Sequence, residues 1–71
     1  MPAIGDVKAR HKEHLLSIPG VVSVGIGKGP DGRPAIVVGL DRDRPEARGQ
    51  IPEEIEGYRV HVEMVGRYRA L

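Results

Sequence analysis

The sequence predicts a small α+β domain in the order α-β-β-α-β, a three-stranded sheet with an N-terminal helix packed on one face. Three observations predict it. Ile4, Val7, His11, Leu15 and Ile18 recur at helical spacing. From Pro19 and Gly20 onward a helix-breaking pair opens a run in which aliphatic residues alternate with small ones, ending at Gly27. A second aliphatic run, Ala35–Asp41, follows a Pro30-Asp31-Gly32 turn signal.

Each element has a local reason. Asp6 is an expected N-cap, Asp6 and Arg10 form a favourable i,i+4 pair, and Lys8, Arg10, Lys12 and Glu13 occupy the outward arc of a helix ending near Ser17. Val21–Gly27 and Ala35–Asp41 form an antiparallel hairpin. If Gly27 lies opposite Ala35, Val22, Val24 and Ile26 share a bulky face with Ile36, Val38 and Leu40. The opposite, thin face then collects Val21, Ser23, Gly25 and Gly27 with Ala35, Val37, Gly39 and Asp41. Since Ala35–Asp41 carries aliphatics on both faces, it should be the most buried segment.

Residues 42–50 read as a charged loop. Ile51–Gly57 reads as one helical turn, with Pro52 in its first turn, acids near its positive end and Gly57 as its stop. Tyr58–Val65 is the third strand, placing Val60, Val62 and Met64 on the bulky face and Arg59, His61, Glu63 and Val65 on the thin one. Gly66 ends it, and Arg67–Leu71 is a basic tail.

Composition narrows the function. Seventy-one residues allow one domain, spanning residues 1–71, with a small core. The chain has no Cys, Trp or Phe and two Tyr, so neither disulfides nor thiolate metal sites support that core. Self-association is an economical way to bury more surface, and a homo-oligomer is expected. A net charge of +1 argues against a polybasic nucleic-acid arm, and no pair of aromatics sits on one strand for base stacking. The charge is segregated: Asp41–Glu56 holds six acids and three arginines, whereas Arg59, Arg67 and Arg69 face only Glu63 after Gly57. No signal peptide and no apolar run of membrane-spanning length is present, so a cytoplasmic chain without membrane partners is expected. Eight arginines against three lysines, with no Cys, suits a thermophile.

The runs Leu15-Leu16-Ser17-Ile18-Pro19-Gly20-Val21-Val22-Ser23-Val24-Gly25-Ile26-Gly27, Ala35-Ile36-Val37-Val38 and Ile51 to Val62 together resemble a small bacterial segment that precedes the protease domain in some trypsin-like peptidase proteins. The resemblance implies a free-standing accessory module. The catalytic Ser, His and Asp of such proteins would belong to the following domain, so it assigns no catalytic residue here.

Chemistry-bearing patterns are sparse. His11, His14 and His61 are the histidines available to a metal. His11 and His14 stand at i,i+3 rather than the i,i+4 of the zinc-protease helix, and His61 is expected on the sheet face away from the helix. Gly25-Ile26-Gly27-Lys28-Gly29 superficially matches a phosphate-cradling loop, but a turn and a strand follow instead of a helix. Ser17 and Ser23 lack a matched base and acid, so no enzyme and no cofactor is expected. The expected function is a non-catalytic module acting through self-association or a protein partner, with Ser23, Gly25, Gly27, Val37 and Gly39 as interface residues. The alternative is a small ligand or metal held at His61 and Glu63, or at His11 and His14.

Overall fold

A computed structural model of the chain describes residues 2–41 and 45–65. Arg42, Asp43 and Arg44 of the expected loop, Gly66 and the basic tail lie outside the described residues. The elements are α1 (Ile4–Leu16), β1 (Val21–Lys28), β2 (Pro34–Leu40), α2 (Pro45–Gln50), β3 (Glu54–Ile55) and β4 (Tyr58–Met64). The fold is α+β, but the sheet has four strands rather than three, in the order β1-β2-β4-β3.

Helix α1 starts before the expected cap. Ala3, in an extended conformation, accepts the backbone N–H groups of Asp6 and Val7, and no side chain caps the helix. Starting at Ile4 brings that side chain against the core, and Asp6 is left within the first turn, where its charge still complements the dipole. Val7 and Leu15 are fully buried under α1, whereas His14 is exposed. The Ser17 hydroxyl closes the helix by donating to the His14 carbonyl at 2.6 Å.

The β1–β2 hairpin has the expected register, Gly27 opposite Ala35, and Gly32 closes the turn at φ 79°. One irregularity changes the face assignment. Val21 pairs with Leu40 while Ser23 pairs with Gly39, leaving Val22 as an extra residue in a bulge. An inserted residue inverts side-chain parity upstream of it. Val21, expected on the thin face, is therefore in the core at 8% exposure, and Val22 is turned out at 52%.

Strand β2 is the axis of the molecule, antiparallel to β1 on one side and parallel to β4 on the other. Ala35, Ile36, Val38 and Leu40 are all buried, and Val37 is half-buried. The rows Ile36–Val60, Val38–Val62 and Leu40–Met64 confirm the bulky face expected of the last strand.

The crossover from β2 to β4 departs most from expectation. Helix α2 forms over Pro45–Gln50, within the expected loop, while 51–57 forms no helical turn. Pro45 takes the first helical position anticipated for Pro52, with Glu46 beside it. Glu56 and Gly57 both adopt positive φ, 50° and 90°, and join Ile55 to Tyr58 as a two-residue hairpin turn. Ile51 and Ile55 are both buried, so their four-residue spacing, suggestive of a helix, is satisfied by a bent segment that becomes a strand only at Glu54–Ile55. The Val60 N–H donates to the Glu53 carbonyl at 2.9 Å and continues this short pairing.

Candidate functional site

The sheet register sets the thin face in rows. Gly27, Ala35 and Arg59 form one row, Gly25, Val37 and His61 the next, and Ser23, Gly39 and Glu63 the third. A shallow trough of about 490 Å³ runs across it, lined by Ser23, Gly25, Gly27, Val37, His61 and Glu63.

The small residues on this face are small for different reasons. A Cβ on Gly39 would collide with the Ser23 hydroxyl and would lie 2.9 Å from the Val65 Cγ1 atom. Gly39 is buried, so it shapes the face from beneath instead of meeting a partner. A Cβ on Gly27 would lie 2.9 Å from Val37 Cγ2, which leans into that space. Gly25 differs from both. A Cβ there would meet nothing within 4 Å, and its φ lies outside the left-handed region. Among the described residues, neither packing nor backbone conformation requires a glycine at Gly25.

The histidines do not converge. His61 stands on the thin face with Glu63, away from α1, His14 is exposed on α1, and His11 is engaged elsewhere. Among the described residues, no three His, Asp or Glu side chains gather as a metal-holding group. Of the two serines, Ser17 closes the end of α1, and Ser23 lies beside Gly39 on the exposed thin face. Gly25–Gly29 leads into a hairpin, as its sequence context indicated.

A second cluster escaped sequence reasoning. The Glu56 carboxylate, in the β3–β4 turn, accepts two hydrogen bonds from Arg10, 2.7 Å from Nη2 and 3.3 Å from Nε. His11 Nε2 lies 2.9 Å from the same carboxylate. Arg10 thus reaches across the fold to Glu56 instead of along its helix to Asp6. The Arg10 hydrogen bonds foremost, then that of His11, hold the Glu56 carboxyl below the ordinary carboxylate value. Nearby, the Tyr58 hydroxyl donates to the Pro2 carbonyl at 2.5 Å. Together they fasten the middle of α1 and the segment before it to the short hairpin. In the sequence Gly57 reads as the stop of a helical turn rather than as half of a hairpin turn, and the partners of Glu56 are more than 40 positions away.

No family model, no curated protein and no solved structure matches the chain. No helix among the described residues is long and apolar enough to cross a membrane.

Proposed function

We propose that the chain is a non-catalytic, cytoplasmic module that works through protein–protein contact on its thin face and associates with itself. Gly25 carries this reading. An interior strand glycine weakens a strand by about 0.5–1 kcal/mol relative to alanine, and here no contact among the described residues requires it. Glycine at such a place fits the close approach of another backbone or sheet. The trough around Gly25 offers half-buried Val37 at its centre and His61 and Glu63 at its border, a mixed surface suited to a protein. An accessory segment of the kind the sequence resembles would act in the same way.

Sedimentation at micromolar concentration tests self-association: a single species at the 7.7 kDa monomer mass would remove it. Val37→Glu tests the surface, because it charges the middle of the thin face without touching the backbone edge of β1. An oligomer that dissociates with Val37→Glu joins through the thin face, whereas one that keeps its mass joins elsewhere and leaves the thin face to a different partner.

A further inference from the structure

The self-association proposed above leaves open where two copies join, and the hydrogen-bond pattern of β1 points to a joint distinct from the thin face. The Gly29 N–H donates to the Arg33 carbonyl at 2.9 Å. Antiparallel pairs alternate between those that exchange hydrogen bonds and those that do not. Gly27–Ala35, Gly25–Val37 and Ser23–Gly39 are therefore the bonded pairs, and Pro34, which has no N–H, falls correctly at a non-bonded one. Val24, Ile26 and Lys28 consequently direct their N–H and C=O groups away from β2. Strand β1 is an edge of the sheet, and among the described residues no strand pairs with those groups.

Edges are ordinarily blunted by shortness, charge, proline or bulges. On the opposite side β3 contributes two residues, and β4 beyond it carries the charge of Glu63. On β1 the bulge at Val22 and the charge of Lys28 guard only the two ends. Between them, Ser23 to Gly27 carry neither charge nor proline, and Ile26 is 49% exposed. Such an edge is a template for a strand.

We infer that a second copy of this chain occupies the edge, β1 pairing antiparallel with β1 of its partner to make one continuous eight-stranded sheet. The strand is complementary to itself. Outward-facing residues must form the bonded pairs, and a two-fold axis through Gly25 sets Val24 opposite Ile26 and Lys28 opposite Val22. The aliphatic stem of Lys28 can then cover the exposed Val22. That register also separates the two Lys28 charges by about six residues, roughly 20 Å, beyond the Debye length of about 8 Å at physiological salt. Because α1 packs mainly across β1, the two helices come to lie on the same face on either side of the joint. The two thin faces merge into one surface.

Hydrogen exchange and sedimentation, both on the full chain, decide the matter. In the dimer, the Val24 and Ile26 amides exchange as slowly as those of Gly25 and Gly27, and dilution releases the first pair but not the second. Ile26→Pro removes one outward N–H and leaves the β2 ladder intact, a position where edge strands accept proline. It should abolish the dimer, with an unchanged circular dichroism spectrum, while Val37→Glu leaves the dimer intact. A dimer that survives Ile26→Pro with fast Val24 and Ile26 amides overturns the edge joint. If that dimer is instead lost with Val37→Glu, the thin-face reading stands alone. A monomer with slow Val24 and Ile26 amides also overturns it, and assigns the edge to another part of the chain.

Discussion

The two hairpins of this sheet are held by different physics. The β1–β2 hairpin runs through a long ladder and rests on buried Ile36, Val38 and Leu40, so its stability is a matter of aliphatic packing. The β3–β4 hairpin pairs two residues before its strands part company. It rests on Ile51 and Ile55 beneath it, on the hydrogen bonds of Glu56 to Arg10 and His11, and on Tyr58 to Pro2. A long hairpin can be written in local sequence because its partners are near. A short one needs distant side chains to keep it in place, and it inherits their sensitivity to pH.

Deleting packing from the long hairpin should have the largest effect. Leu40→Ala opens a cavity beneath α1 and should cost about 2–5 kcal/mol in urea unfolding. For a domain this small, that approaches the whole stability. A cost below about 1 kcal/mol, the range of a surface substitution, would mean that β2 is not the core strand.

The glycines sharpen the contrast next. Gly57→Ala forces a side chain into the left-handed turn of the short hairpin at φ 90° and should cost roughly 1–2 kcal/mol. Gly25→Ala in the long hairpin meets no atom and, at concentrations where the chain is monomeric, should gain about 0.5–1 kcal/mol. Opposite signs for two glycine substitutions would separate a glycine required by the fold from one that is not.

Glu56→Gln probes the pH sensitivity of the short hairpin alone. Since the Glu56 carboxyl is held below its ordinary value in the folded chain, its contribution is complete above that value and is lost as pH falls through the depressed one. The melting temperature of the parent should therefore exceed that of Glu56→Gln at neutral pH, with the gap closing in acid. A gap independent of pH would show that the carboxylate hydrogen bonds do not fasten the hairpin. Zinc should give the smallest effect of all. With His11 committed to Glu56 and His61 standing on the opposite face, one equivalent should leave the melting temperature unchanged. A saturable rise, lost in His61→Ala, would restore a metal site at His61 and Glu63.

Much of the thin face is legible in the sequence, because side-chain alternation and the Pro30-Asp31-Gly32 turn place Ser23, Gly25, Val37, His61 and Glu63 together once the register is known. Two features of the face are not. Alternation alone reveals neither that Gly39 is closed from within by Ser23 and Val65 nor that Gly25 is open, since both are questions of space between strands.

By itself, then, the sequence determined what depends on neighbours a few positions away. The spacing of Val7 and Leu15 makes one face of a helix, Pro19-Gly20 stops it, and the turn after Lys28 sets the register of β1 on β2. Tertiary structure decided what depends on distant partners. The core drew in Val21 at the expense of Val22 through a bulge that no local pattern marks. Ile51 and Ile55, four residues apart, read as a helical turn, yet they lie on a bent segment that leads into β3. Burial of both isoleucines, pairing of β3 to Tyr58 and Arg59, and the grip of Arg10 on Glu56 favoured the short hairpin over a helical turn. Those contacts join residues far apart in the chain, and only the assembled fold brings them within reach.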